Sequence, residues 1–295
     1  MKTRLLSGTC YIAILVAFYC LKIFVHDFCF DVLTYAFALI GTFEILRAFK
    51  EKMTSWQRLI VTAFAVVCIP ACAVCEYFYG YGLHIVCTCF FAMSVLLLAL
   101  LVGDHEKTNL ENLGVSFLAA VYPTFLLSLL VLANHMDCPS VLEKFALDSR
   151  LVILLIFVVS PCADSIAYLF GRFLRKFFPK KMAPVISPNK TVIGGIGGLV
   201  GGMLGALAIY FIYNAIVGSF EQMYIWLPVY LLTGLLTSVA TEFGDLVESC
   251  IKRKVGIKDM GKIMPGHGGI LDRIDGSLFA TVATYLVFAV IYLIV

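Results

Sequence analysis

Charge is what this chain has least of. Lys, Arg, Asp and Glu together make up 14% of its 295 residues, against about 25% in a typical soluble domain. With 61% of residues apolar and a mean hydropathy of +0.98, the composition excludes a water-soluble globule, a disordered chain and a nucleic-acid binder. Residues 11–25 hold no small-x-small cleavage pattern, so the first apolar run is expected to stay as a span rather than leave as a signal peptide. There is no sequence repeat and no low-complexity linker. Nearly all of the eleven cysteines fall inside apolar runs. Cys138 alone stands clearly in an outside loop, so no intramolecular disulfide is expected there. Cys68, Cys72 and Cys75 have one carboxylate, Glu76, and no His beside them, which points to thiol packing rather than a metal cluster.

What is present is hydrophobic length. A spanning helix needs about 20 mostly apolar residues. Nine runs meet that need, at about 7–25, 29–46, 58–77, 82–102, 114–133, 151–170, 192–214, 223–245 and 277–295. Apolar residues occur all round each run, which favours helices over barrel strands. The expected fold is an all-α polytopic membrane bundle. With nine spans, Lys2, Arg4, Arg47, Lys50, Lys52, Arg58, Lys107 and the basic residues of 172–190 and 252–273 share one side, whereas Lys22, Lys144 and Arg150 lie on the other. That asymmetry makes the first side cytoplasmic and sends the C-terminus outside. A bacterial plasma membrane is the expected location, since the chain carries no long soluble extension.

Chemistry is unevenly spread. Residues 1–150 read as a hydrophobic transmembrane scaffold with short loops. Residues 151–295 read as the catalytic region of the same membrane domain, with glycine- and charge-rich stretches at 161–191, 194–205 and 242–277. Gly194, Gly198 and Gly202, and likewise Gly197, Gly201 and Gly205, recur at i, i+4. Such spacing lets helix backbones approach closely in lipid, either within the chain or across a homodimer. A phosphate-cradling turn is possible near Gly194 and Gly195, after Lys190 and Thr191.

Ionisable groups at membrane depth are costly and mark function. Asp164 lies inside the sixth run. Glu242, Asp245, Ser249 and Lys252 fall on one helical stripe; Glu248, close to this face, reads as a solvated helix end. Residues 249–275 add Arg253, Lys258, Asp259, His267, Asp272, Arg273 and Asp275 around a Gly266-His267-Gly268-Gly269 turn. Carboxylates with few His suit a hard cation such as Mg²⁺. Neighbouring Lys and Arg suit phosphate oxygens, and consecutive glycines turn backbone N–H groups toward an anion. These are the parts of a phosphoryl- or nucleotidyl-transfer site. A basic loop lying on anionic lipid is the plainer alternative, although it has no need of four Asp and such a turn. His267 is as readily structural as catalytic.

The run from Ser249 through Lys252-Arg253, Lys258-Asp259, Gly261, Pro265-Gly266-His267-Gly268-Gly269 and Asp272-Arg273 to Asp275 resembles the signature of phosphatidate cytidylyltransferases, also called CDP-diacylglycerol synthases. Asp164-Ser165-x-Ala167-Tyr168-x-x-Gly171-Arg172 and Ser187-Pro188-x-Lys190-Thr191 are similar to two further blocks of that family. The resemblance covers about residues 160–295. At Val192 and Ile193 the chain departs from the aromatic and acidic residues the family often carries.

The resemblance implies that CTP and phosphatidic acid react at a lipid bilayer to give CDP-diacylglycerol and pyrophosphate, with Mg²⁺, and K⁺ as a second cation. It further implies Asp245 and Asp272 as principal metal ligands and Ser249, Lys252, Arg253, Asp259 and Asp275 as catalytic groups. Nucleotide binding would fall to Asp164, Lys190, Thr191, Lys258, His267 and Arg273. A CTP-dependent polyprenol or lipid kinase is the second enzymatic reading. A transporter fits poorly, because the charges gather at the cytoplasmic edge and the two halves do not resemble each other.

Overall fold

A computed structural model describes residues 2–136, 148–217 and 223–294, with the side chains of 2–5, 217, 223–225, 293 and 294 set aside. Cys138, Lys144, Val295 and the side chains of Lys2 and Arg4 therefore lie outside the described residues. Among these residues nine helices are long and apolar enough to cross a membrane. They are α1 (Lys2–Phe24), α2 (Phe28–Ala48), α3 (Ser55–Tyr79), α4 (Gly82–Gly103), α5 (Leu110–Asn134), α6 (Ser149–Leu174), α7 (Val192–Val217), α8 (Met223–Val255) and α9 (Leu271–Ile294). The only paired strands among the described residues, β1 (Lys181–Ala183) and β2 (Ser187–Thr191), form an antiparallel hairpin between α6 and α7. The all-helical membrane fold expected from the apolar runs is what the chain adopts.

The chain divides into two compact units, Met1–His135 with Lys254–Ile274 and Met136–Arg253 with Asp275–Val295. In the first, helix starts are fixed by side chains. Thr54 and Gln57 form a capping box at α3, and Asn109 with Asn112 does the same at α5. The two caps are joined, since Gln57 Nε2 donates to Asn112 Oδ1 at 2.8 Å with Gln57 fully buried. Pro123 lacks an N–H and interrupts the i to i−4 ladder, and α5 makes a π turn over Val121–Phe125 at that point. Lys22, on the side with few basic residues, is buried. Its ammonium binds Asp27 at 2.5 Å and the Asn134 carbonyl at 2.9 Å, so its charge is offset locally. Asp31, also buried, accepts from Asn134 at 2.9 Å and lies 2.6 Å from His135 Nε2.

In the second unit the glycines set the packing. A Cβ on Gly197 would stand 2.6 Å from the Phe170 ring, and one on Gly201 2.7 Å from the Cys162 carbonyl oxygen. Gly202 and Gly234 face each other across α7 and α8, each with the other's carbonyl oxygen 2.6 Å from where a Cβ would be. Both glycine series are thus used within the chain, between α6, α7 and α8. Of the two readings the spacing allowed, packing within the chain is the one these contacts display.

The two helix limits that differ most from expectation are the end of α8 and the start of α9. α8 runs on to Val255, so Glu248, Ser249, Lys252 and Arg253 stand on helix. α9 begins at Leu271 instead of about 277, so Asp272 and Asp275 lie in its first turns. The cause of the early start is remote in sequence and belongs to the site.

Candidate active site

In the first unit, Lys254–Ile274 is a loop held by two carboxylates. Glu44, on α2 and 2% exposed, accepts from Ile270 N at 3.0 Å and Leu271 N at 2.9 Å. A carboxylate there satisfies donors that a helix start leaves unpaired and meets the positive end of the helix dipole. This explains why α9 begins at Leu271. Gly261 and Gly269 admit Glu44: a Cβ on either would lie 2.1 or 2.3 Å from its Oε1. Asp272 Oδ2 accepts from Met260 N and Gly269 N, both at 2.8 Å, and so ties the two ends of the loop together.

The turn itself closes through Met264 N to Gly268 O and His267 N to Met264 O, each 2.9 Å. Gly266 and Gly268 hold φ of 78° and 87°, a left-handed conformation that side chains disfavour. Ser7 of α1 reaches this turn, with its Oγ 2.7 Å from His267 Nδ1 and 3.2 Å from the Pro265 carbonyl oxygen. The loop lines an open cavity of about 580 Å³ formed by Lys258, Asp259, Lys262, His267 and Arg273 with the turn glycines. Three cations beside such a turn have the chemistry that suits an oxyanion.

In the second unit the expected stripe on α8 is present, and it has partners. Lys190, from β2, binds Asp245 Oδ2 at 2.8 Å. Lys252 binds Glu248 at 2.6 Å, and Glu248 is fully buried, not the solvated helix end expected for it. The long α8 keeps it about two turns inside, where Lys252 covers it. Asp275 hydrogen-bonds the Glu248 side chain, faces Asp245, and accepts from Gly276 N at 2.9 Å. Glu242 is 7% exposed, lies against Gly198, and keeps its Oε1 without a hydrogen-bond partner. Four carboxylates, Glu242, Asp245, Glu248 and Asp275, thus face two ammonium groups, an acidic excess that an added cation would offset.

The donor set fits a hard cation. Among the described residues no three His, Cys, Asp or Glu side chains form a closed metal cage. Mg²⁺ does not require one, because it is held by one or two carboxylates with waters and substrate phosphates completing its shell.

The other expected residues fall around these groups. Ser249 is half-buried on the stripe, and Arg253 is exposed near the end of α8. Thr191 Oγ accepts from Gly194 N at 3.1 Å and caps α7, which also employs the turn at Gly194. Asp164 is exposed on α6, one turn before Tyr168, whose hydroxyl accepts from Arg172 at 3.1 Å. Sequence reasoning passed over Glu44 and Ser7, placing both in a scaffold half. For Glu44 a signal was present: a lone carboxylate inside an apolar run is a candidate by position alone.

Among the described residues, nine membrane-length helices together with a cation-lined loop cavity and a carboxylate–lysine cluster suit a polytopic membrane enzyme of phosphate-group transfer. The cytidylyltransferase family model matches residues 2–291. The chain is similar to the phosphatidate cytidylyltransferase of Bacillus subtilis strain 168, 34% identical over 290 residues that cover 98% of each chain. It is also similar to the phosphatidate cytidylyltransferases of Staphylococcus haemolyticus, 43% identical over 132 residues (45% of this chain, 46% of that one), and of Staphylococcus aureus strain COL, 45% identical over 127 residues (43% and 45%). The chain belongs to the cytidylyltransferase family, and it is a nucleotidyltransferase.

Proposed function

We propose that the chain transfers the cytidylyl group of CTP to phosphatidic acid, giving CDP-diacylglycerol and pyrophosphate. The observation that carries this reading is the full-length likeness to the Bacillus subtilis enzyme. The oxyanion pocket of 258–273 and the acidic cluster on α8 supply chemistry suited to it.

CTP and a phosphomonoester bring about five to six negative charges together. Lys258, Lys262 and Arg273 offset the charge of the phosphate chain. Lys190 and Lys252 lie where they can exchange a carboxylate partner for a phosphate oxygen. An oxygen of the phosphatidate monoester attacks the α-phosphorus, and the bond to the β-phosphate oxygen breaks to release pyrophosphate. With a second pKa near 6 the monoester is already anionic at neutral pH, so the step needs no base, and His267 is left to hold the turn or a phosphate. Asp245 and Asp272 are proposed to hold Mg²⁺, which when bound neutralises phosphate charge and polarises the α-phosphoryl group. Ser249 and Arg253 are proposed to orient phosphate oxygens, Asp259 and Asp275 to order the ligands, and Asp164 and Thr191 to assist the nucleotide. A second K⁺ rests on the family resemblance alone.

The asymmetry of basic residues supports an N-terminus and site on the cytoplasmic side of a bacterial plasma membrane and a C-terminus outside. The test of the function is to supply purified protein with CTP, Mg²⁺ and phosphatidic acid and identify both products. CDP-diacylglycerol with pyrophosphate supports the reading. Release of CDP from a polyprenol or other lipid alcohol would support the kinase instead.

A further inference from the structure

Residues 175–185, between α6 and α7, do not belong to the catalytic cluster, yet the composition around them is unusual. From Ser165 to Phe220 there is no acidic residue. Arg175, Lys176, Lys180 and Lys181 are all exposed, and among the described residues no carboxylate pairs with them. Beside them, Phe177, Phe178 and Val185 are 77%, 57% and 89% exposed. In water such side chains would form an unfavourable apolar patch. They lie immediately after Leu174, where α6 ends, and before Val192, where α7 begins, at the level where a span leaves the hydrocarbon.

The segment is also built. Phe177 N and Phe178 N both donate to Leu174 O at 3.0 Å, closing a turn at the helix end. The strands pair Lys181 with Thr191 and Ala183 with Ser187, and Val192 N donates to Lys180 O at 3.0 Å. Aromatic and aliphatic side chains interleaved with cations, on a short fixed element at a span end, match the chemistry of an anionic bilayer surface. Apolar groups enter the acyl boundary, and the ammonium and guanidinium groups meet lipid phosphates.

We propose that residues 175–185 are an interfacial dock for the anionic leaflet, seated on phosphate-bearing lipid headgroups through Arg175, Lys176, Lys180 and Lys181 and anchored by Phe177, Phe178 and Val185. The same hairpin carries Lys190, which binds Asp245, and Met182, whose Sδ and Cε lie against Gly195. Lipid engaged at one end of the hairpin is therefore gathered beside the acidic cluster reached by the other. The inference rests on the cytidylyltransferase reading only in that the gathered lipid includes the substrate.

The test has two arms. In nanodiscs of phosphatidylcholine with phosphatidylglycerol, a Phe177→Trp variant should show added emission that is blue-shifted and quenched by brominated lipid, relative to the parent with its two Trp. Added emission characteristic of water and insensitive to brominated lipid would overturn the dock. In the second arm, the combined Arg175→Gln, Lys176→Gln, Lys180→Gln, Lys181→Gln variant should raise the KM for phosphatidic acid about tenfold in a phosphatidylcholine surface, with the KM for CTP and kcat unchanged. An unchanged KM for phosphatidic acid, or a rise confined to CTP, would overturn it by showing that these cations serve no lipid or serve the nucleotide. If the protein turns over neither substrate, the fluorescence arm still decides the dock, so its failure is distinct from failure of the proposed reaction.

Discussion

Replacing Glu44 by Ala removes both acceptors that hold the start of α9. Ile270 N and Leu271 N, now bonded at 3.0 and 2.9 Å, would be left buried and unpaired. Each such donor costs about 1–3 kcal/mol, so the local loss is about 2–6 kcal/mol. That corresponds to roughly 30-fold to 10⁴-fold in the opening equilibrium of the loop. Glu44→Gln keeps one acceptor oxygen and should cost about half as much. The direct measurement is hydrogen exchange of the amides between Met260 and Leu271, alongside turnover. Exchange should quicken sharply in the Ala variant and less in the Gln variant, with kcat falling in the same order. Because the perturbation sits on α2, far in sequence from the signature, unchanged exchange and unchanged turnover in Glu44→Ala would refute the reasoning that this carboxylate holds the loop in place.

Other expectations follow from the same contacts. Asp245→Ala or Asp272→Ala should abolish turnover while leaving the protein folded; retention of more than about a tenth of the rate by either would remove it from the proposed metal set. Lys252→Ala should mainly raise the KM for CTP or phosphatidic acid, and unchanged rates at limiting concentrations of both would deny it a phosphate-binding role. Gly202→Ala places a Cβ 2.4 Å from Ser238 Cβ and 2.6 Å from the Gly234 carbonyl oxygen, so thermal unfolding should register a loss of about 1–3 kcal/mol. Chelation of divalent cations should stop the reaction and added Mg²⁺ should restore it; full activity after chelation would remove the cation from the account.

The membrane fold was legible because a span needs only length and apolarity, and nine runs of sufficient length are plain in the chain. The signature residues were legible as phosphate chemistry because Asp, Lys and a glycine turn seldom gather without a ligand to serve. The start of α9 was not legible. Its first turn is charged and looks like loop, and the acceptor that makes it helix is Glu44, 226 residues earlier. The burial of Glu248 was hidden for a related reason. Periodicity shows which residues share a helical face, and Asp275, which bonds Glu248 there, arrives from another helix. The glycine series announced a close approach, but two glycine stripes read alike whether the neighbour is α6, α8 or a second copy. Only the opposing atoms, Phe170, the Cys162 carbonyl and Gly234, distinguish them.

The central claim is tested most directly by the fate of labelled phosphate. Purified protein given phosphatidic acid, Mg²⁺ and CTP labelled at the α-phosphorus should place the label in the lipid fraction, whereas CTP labelled at the γ-phosphorus should release it as pyrophosphate. Label from the γ position appearing in lipid, with none from the α position, would contradict cytidylyl transfer.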